Sequence, residues 1–173
     1  MNKPRGLVTT RDDPQGRPTV YSVLDGSGLP FLGPVGRLDR ASEGLLLLTN
    51  DSQWAARLLD PASHVDKTYH VQVKGRDLDK VIERVGSGVT ETETGEFLGV
   101  KSISQLRVGS RSTAWFTVVL DEGKNRQLRR IFAQLHLEVM RIVRVSIGPL
   151  ALGTLAKGQW RELTPTEVRS LSR

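Results

Sequence analysis

The sequence contains no cysteine, and this single absence removes several chemistries. Without thiols the chain can form no disulfide, and it offers neither a thiolate nucleophile nor a thiolate metal ligand. The lack of disulfide-forming residues fits a cytoplasmic location. The 173 residues are 38% hydrophobic, which suits one globular domain with its own core, in which two lobes are possible.

Long hydrophobic runs are also missing. The longest apolar run, 44–48, is far shorter than the roughly 18 residues that a membrane-spanning helix needs, so we expect no membrane partner. The first six residues do not combine a basic segment with an apolar one, and no signal peptide is predicted.

Histidine is scarce, and nucleotide-binding motifs are absent. His64, His70 and His136 lack the spacing of a metal-binding pair, and none is an obvious partner for a serine nucleophile. Neither Gly-x-x-x-x-Gly-Lys-Ser/Thr nor Gly-x-Gly-x-x-Gly occurs. The sequence therefore predicts no metal site and no nucleotide cofactor.

Positive charge is present in excess. The chain has 25 basic and 19 acidic residues, a net charge of +6, and its basic residues are 18 arginines and 7 lysines. The segment from Lys124 to Arg144 contains six of the basic residues and one acid. This clustering predicts an anionic partner bound by forked arginine contacts to phosphate, although a solvated basic surface would look the same.

Hydrophobic periodicity predicts a chain of the α+β class. An apolar run and alternating patterns predict strands over 44–50, 68–74, 112–120 and 139–146. Helical spacing predicts helices over 77–85 and 125–136. Asp51 or Ser52 can cap a further helix that runs to Leu59 and stops before Pro61, and a capping box in 164–167 predicts a short C-terminal helix. Because strands and short helices do not alternate regularly, α+β is favoured over a parallel α/β fold.

Asp39 is distinctive among the carboxylates. It lies between Arg37 and Arg40, just before the buried run, and neighbouring cations favour an ionised carboxylate and attract an RNA backbone. The local sequence is equally compatible with an aspartate that caps a turn or pairs with a surface arginine.

A family resemblance changes this balance. The segment 36–51, GRLDRASEGLLLLTND, resembles the catalytic motif of the RsuA-like pseudouridine synthases, which act on ribosomal RNA. The same family is resembled, in the same order, by NKPRG at 2–6, KTY at 67–69, EGKNRQLRR at 122–130, and RVSIG at 144–148 with GQWREL at 158–163. The resemblance covers essentially the whole chain. It implies the pseudouridine synthase catalytic fold, an extended, mostly antiparallel mixed sheet flanked by short helices.

The resemblance also implies a role for each matching residue. Asp39 would be the nucleophile, Tyr69 would stack on the target base and take part in proton transfer, and Arg129 would pair with the aspartate. Leu128 and Ile142 would belong to the base pocket. The residues expected to contact RNA are Lys3, Arg37, Arg40, Lys67, Lys124, Asn125, Arg126, Gln127, Arg130 and Arg144. No metal or other cofactor is implied.

Ordinary structural roles remain open for three of these residues. From the local pattern alone, Tyr69 and Ile142 could be plain core residues, and Arg129 could form a surface salt bridge.

The expected function is isomerisation of a specific uridine in ribosomal RNA to pseudouridine, by a monomer that binds ribosomal RNA or a ribosome assembly intermediate. The alternative is a catalytically inactive ribosomal RNA-binding or ribosome assembly factor, because a basic segment suits both. The sequence starts directly at the 2–6 motif, so we expect a single catalytic domain over 1–173 without the N-terminal RNA-binding domain that many relatives carry.

Overall fold

The computed structural model describes residues 1–110 and 112–172. Its strands are β1 (Asn2–Lys3), β2 (Gly33–Val35), β3 (Glu43–Leu45), β4 (Leu47–Thr49), β5 (Lys67–Lys74), β6 (Val89–Thr90), β7 (Phe97–Leu98), β8 (Ser102–Val108), β9 (Thr113–Leu120), β10 (Glu138–Ile147) and β11 (Leu150–Ala151). Its α-helices are α1 (Ser52–Leu59), α2 (Val81–Gly86), α3 (Gln127–Gln134) and α4 (Pro165–Leu171).

The chain divides into two compact units. Unit 1 consists of Met1–Val65 together with the chain from Val143 onward, and unit 2 consists of Asp66–Ile142. Among the described residues, no helix is both long enough and apolar enough to cross a membrane.

Unit 1 is built around the short strand β3. This strand pairs antiparallel with β1, where Asn2 lies opposite Leu45, and parallel with β10, where Arg144 lies opposite Gly44. Strand β11 pairs antiparallel with β10, and β2 pairs antiparallel with β4. The core of the unit is apolar and consists of Val35, Leu45, Leu47, Trp54, Leu58, Ile147, Leu150 and Leu171.

Unit 2 contains three long antiparallel strands in the order β5, β9, β8. Val71 and Val73 of β5 lie opposite Phe116 and Ala114 of β9, and all four side chains are buried. Helices α2 and α3 contribute Val81, Val85, Leu128, Ile131 and Phe132 to the same core. The alternation of strand residues and the apolar stripe of each helix thus meet in one cluster.

Several expectations are confirmed. The pairings described above are antiparallel except for that of β3 with β10, which agrees with a mostly antiparallel mixed sheet in an α+β chain. Helix α1 ends at Leu59 as predicted, and of the two candidate caps it is the Asp51 carboxylate that accepts a hydrogen bond of 2.9 Å from the Trp54 backbone N–H. The predicted capping box opens α4, where Thr164 and Glu167 bond each other's backbone N–H.

The strand predicted over 44–50 was wrong in extent, because two strands occupy it. Strand β3 pairs with β1 and β10, whereas β4 pairs with β2. The two are separated at Leu46, which is fully buried and bonds through its backbone to Met1. A local apolar pattern cannot show that neighbouring residues have different partners.

Two predicted helices are shorter than expected. The helix predicted over 125–136 is limited to α3 because Arg126 and His136 both have left-handed backbones, with φ of +49° and +57°. The helix predicted over 77–85 begins as a 3-10 turn, Leu78–Lys80, after a left-handed Asp77, and becomes α-helical only at Val81.

Candidate active site

Asp39 lies on a tight loop of unit 1 between β2 and β3, and the neighbouring backbone fixes that loop. The Thr9 hydroxyl donates to the Leu38 carbonyl at 2.8 Å and accepts from the Leu38 N–H at 3.3 Å. Both residues are buried, with Thr9 4% and Leu38 7% exposed. Both backbone polar groups of Leu38, the residue immediately before Asp39, are therefore held by hydrogen bonds.

The Lys3 side chain stabilises the Asp39 loop. This side chain is fully buried, and its ammonium donates to the carbonyls of Pro4, Asp39 and Ser42 at 3.1, 3.2 and 2.8 Å. An ammonium has three donors, and here all three are used. Burial lowers the pKa of Lys3 to about 8, although the negative charges of Asp39 and Glu43 act in the opposite direction.

The loop is also closed by backbone contacts at Arg40 and Ser42. The Ser42 N–H donates to the Asp39 carbonyl at 2.9 Å, and the Gly6 N–H donates to the Arg40 carbonyl at 2.7 Å. The Arg40 Nε donates back to the Gly6 carbonyl at 3.2 Å. Asp39 is half-buried, while Arg37 and Arg40 are exposed. A carboxylate thus sits at a rigid position beside exposed cations, an arrangement suited to a nucleophile that receives an anionic substrate.

The strand that leaves the loop is anchored by Arg144. Its side chain is only 5% exposed, and its Nε donates to the Leu45 carbonyl at 2.8 Å. Its backbone passes so close to Gly44 that a Cβ added there would lie 2.2 Å from the Arg144 carbonyl oxygen. Glycine is required at this crossing.

The predicted base-pocket residues lie together in unit 2. Leu128 and Ile142 are 5% and 4% exposed and belong to the core cluster against which the half-buried Tyr69 packs. Tyr69 lies opposite Val118 in the pairing of β5 with β9. Arg129 follows Leu128 on α3, and its guanidinium donates to the Val139 carbonyl at 3.4 Å.

The structure corrects the RNA-contact assignment for residues whose polar groups are used inside the fold. Lys3, Gln127 and Arg144 are buried and bond the protein's own carbonyls, and Gln127 also bonds Glu122. Arg130 forms ion pairs with Glu91 and Glu96, the former at 2.6 Å. The polar groups of Lys3, Gln127 and Arg130 are thus used within the protein, whereas the buried Nη2 of Arg144 has no hydrogen-bond partner among the described residues.

The other predicted RNA-contact residues have mixed surroundings. Lys124 forms long ion pairs with Glu96 and Glu122, at 3.4 and 3.6 Å, and donates to the Phe97 carbonyl. Asn125 and Arg126 are exposed, and Lys67 is half-buried. The charge of the 124–144 segment is therefore partly neutralised by the acidic turn between β6 and β7.

Two residues that matter for the site were not predicted. Thr9 is one, and no feature of its loop sequence indicates its bonds to Leu38. Glu43 is the other; it is 3% exposed and forms an ion pair with Lys157. A charged residue inside the motif and next to a buried run could have suggested a buried ion pair.

The residues offer no evident metal site. Within 1–110 and 112–172, no three histidine, aspartate or glutamate side chains cluster in a way that could hold a metal ion. Unit 1 also contains a cavity of about 410 Å³, lined mainly by leucines with Trp54 and Trp160, and none of the predicted site residues lines it.

Comparison with known proteins identifies the family of this chain. The family model described as RNA pseudouridylate synthase matches residues 1–134, which include the Asp39 loop, Tyr69 and Arg129. This chain belongs to the RNA pseudouridylate synthase family. A solved pseudouridylate synthase structure has a TM-score of 0.82 to this chain at 30% identity, covering 99% of this chain and 71% of the other.

The curated relatives that this chain matches are longer than the chain itself. It is 39% identical to the ribosomal large subunit pseudouridine synthase B of Pseudomonas aeruginosa over 173 residues, 99% of this chain and 44% of that protein. It is 40% identical to an uncharacterized RNA pseudouridine synthase of Rickettsia bellii over 163 residues, 94% of this chain and 68% of that protein. The chain thus spans about half to two thirds of these relatives.

Proposed function

We propose that this chain isomerises a uridine of ribosomal RNA to pseudouridine, with Asp39 as the nucleophile. The observation that carries the proposal is the Asp39 loop, in which Asp39 is half-buried, follows a residue held by Thr9, and bonds the Lys3 ammonium through its backbone carbonyl. The family membership supports the reaction, and the name of the Pseudomonas relative supports ribosomal RNA as the substrate class.

The chemistry explains why a fixed carboxylate is useful. In the net reaction the bond from the sugar C1′ to the uracil N1 breaks, and a bond from C1′ to C5 of the same base forms. The proton on C5 is lost, and N1 gains one, so substrate and product are isomers. A carboxylate nucleophile can form a covalent intermediate that persists while the detached base turns. Rigid placement of Asp39 lowers the entropic part of the activation barrier of the isomerisation.

Tyr69 and Arg129 are proposed to act on the same nucleotide. A target base must leave its stack, which costs a few kcal/mol, and stacking on an aromatic ring offsets about 1–3 kcal/mol. The Tyr69 ring is held by the core of unit 2 and could supply that stacking. Arg129 is the cation that the family resemblance pairs with the catalytic aspartate.

RNA is proposed to approach through exposed cations near the loop. Arg37 and Arg40 flank Asp39, and Arg40 is oriented by its bond to Gly6. Arginines at this position would place phosphates beside the target nucleotide. A cytoplasmic location is part of the same proposal, because ribosomal RNA is its substrate.

The direct test is tritium release from unmodified ribosomal RNA labelled at C5 of uridine. Formation of the new bond from C1′ to C5 displaces the tritium from C5. We expect release by the wild type and a loss of more than about 10³-fold in Asp39→Asn, because removal of a nucleophile leaves only binding and orientation. Asp25→Asn is the matched control, since Asp25 is an exposed aspartate of the same unit.

Binding of the same RNA must be measured in parallel. Retained binding with lost release in Asp39→Asn would support the assignment. Release by Asp39→Asn at the wild-type rate would refute it. RNA binding by the wild type with no release at all would favour the inactive ribosomal RNA-binding factor.

A further inference from the structure

The sheet of unit 2 has a second face, opposite to its core. In the pairing of β5 with β9, His70, Gln72 and Lys74 lie opposite Thr117, Trp115 and Thr113. These residues alternate with the buried Val71, Val73, Ala114 and Phe116, so their side chains project from the other side of the sheet.

Strand β8 adds a cation to this face through a bulge. Ser104 lies opposite Thr117, but the register shifts between Gln105 and Arg107, so that Arg107 lies opposite Trp115. Without the extra residue, Leu106 would occupy that position and Arg107 would point to the opposite side. We call the set His70, Gln72, Lys74, Ser104, Arg107, Thr113, Trp115 and Thr117 the Trp115 face.

The Trp115 face has cations and no acids. The three strands Lys67–Lys74, Ser102–Val108 and Thr113–Leu120 contain neither aspartate nor glutamate. Lys74 and Arg107 are exposed, and in the described part of the chain neither has a carboxylate partner. Burial, and then the charge of Arg107, lower the pKa of His70, so this imidazole is a neutral hydrogen-bonding group at neutral pH.

Trp115 orients the guanidinium of Arg107. The Arg107 carbon Cζ lies 4.9 Å from the centre of the Trp115 ring, and that of Arg141 lies 5.6 Å away. Trp115 itself is only 8% exposed. A guanidinium stacked on an indole loses side-chain freedom before any ligand binds. Its N–H groups, which point outward in the guanidinium plane, stay available to bond a ligand.

We propose that the Trp115 face binds the phosphate backbone of RNA, at a segment other than the one that carries the reacting uridine. Lys74 and Arg107 supply the charge, and the hydroxyls of Ser104, Thr113 and Thr117 suit phosphate or sugar oxygens. Tyr69 projects from the core face of the same strand, so this RNA segment is not the flipped nucleotide. The inference rests on the proposed function only in naming RNA as the partner.

The test compares the double variant Lys74→Gln/Arg107→Gln with Arg84→Gln, an exposed cation on α2 of the same unit. The affinity for unmodified ribosomal RNA is measured by anisotropy at several salt concentrations, and tritium release gives kcat and KM. Loss of two phosphate contacts should weaken binding about tenfold and flatten the salt slope by roughly 1.4. KM should rise by a similar factor with kcat unchanged, and Arg84→Gln should match the wild type.

The outcomes separate this inference from the proposed function. An unchanged affinity, salt slope and KM in a folded double variant would overturn the inference while release by the wild type continued. Weakened RNA binding by the double variant, in a protein that releases no tritium, would support the inference and refute the isomerase. Displacement of RNA from the face by polyglutamate at equal affinity would also overturn it, by assigning the face to an acidic protein segment.

Discussion

Gly44 has a backbone conformation that glycine adopts far more readily than other residues, with φ of +106°. A Cβ at this position would lie 2.2 Å from the carbonyl oxygen and 2.7 Å from the backbone nitrogen of Arg144. Since neither backbone can move without breaking the pairing of β3 with β10, we expect Gly44→Ala to lower the free energy of unfolding by more than about 3 kcal/mol. Urea denaturation followed by circular dichroism measures this.

Gly123→Ala is the control for that prediction. A Cβ at Gly123 meets nothing within 4 Å, and the residue does not have a positive φ. Its effect should stay within about 0.5 kcal/mol. Equal urea midpoints for Gly44→Ala and the wild type would contradict the close approach of β3 and β10 at Gly44.

The burial of Lys3 predicts that the stability of the fold depends on pH. The pKa of Lys3 is lowered by burial to about 8, against an unfolded value of 10.5. Between these values the unfolded chain binds more protons than the folded chain, so folding becomes more favourable as pH rises from about 8 to 10.5. Below pH 8 the cost of burying the charge is fully present.

The matched variant is Lys3→Met, which keeps the length of the side chain and removes its donors. It should destabilise the fold at pH 7 by about 1–3 kcal/mol or more, because three buried carbonyls lose their partner. The stability difference between wild type and variant should grow from pH 8 to pH 10.5. Denaturation curves at a series of pH values measure it, and a difference that shrank over this range would contradict the account.

At the scale of elements, the turn between β6 and β7 is held to α3 by one arginine. Arg130 pairs with Glu91 and Glu96, and it lowers the pKa of Glu91 to about 2. Glu91 therefore adds stability above its usual pKa near 4.5, and this stability is lost as pH falls toward 2. We expect Arg130→Gln to lower the melting temperature while leaving the salt dependence of RNA binding unchanged.

Arg37→Gln should have the opposite profile. Arg37 is exposed beside Asp39, so its loss should leave the melting temperature unchanged and flatten the salt slope of RNA affinity by about 0.7. Thermal unfolding and RNA titrations at several salt concentrations check both variants. A flattened slope in Arg130→Gln, equal to that of Arg37→Gln, would return Arg130 to the set of RNA contacts.

The elements that could be predicted are those whose ends are determined locally. Helices α1 and α4 begin at side-chain caps, Asp51 and Thr164, that lie within three residues of their bonding partners. The division between β3 and β4 could not be predicted, because it depends on Met1 and Arg144, which are distant in sequence. Strand β8 was missed since most of its residues are exposed, which leaves no apolar alternation to detect.

At the scale of the whole molecule, the sequence motif located the Asp39 loop but not the distribution of charge. By residue count, the segment from Lys124 to Arg144 has six basic residues and one acid, in a chain with a net charge of +6. In the fold, Glu91, Glu96 and Glu122 neutralise part of it, and Arg144 is buried. Ion pairs between residues far apart in sequence decide which cations remain available, and one sequence does not disclose them.

For the molecule as a whole, the central claim is that the fixed carboxylate of Asp39 converts a ribosomal uridine to pseudouridine. The measurement that tests it most directly is the pseudouridine content of unmodified ribosomal RNA after incubation with the protein, determined by nucleoside analysis of the digested RNA. We predict pseudouridine at a defined position with the wild type and with Asp25→Asn, and none with Asp39→Asn. Pseudouridine formed by Asp39→Asn at the wild-type level would contradict the account.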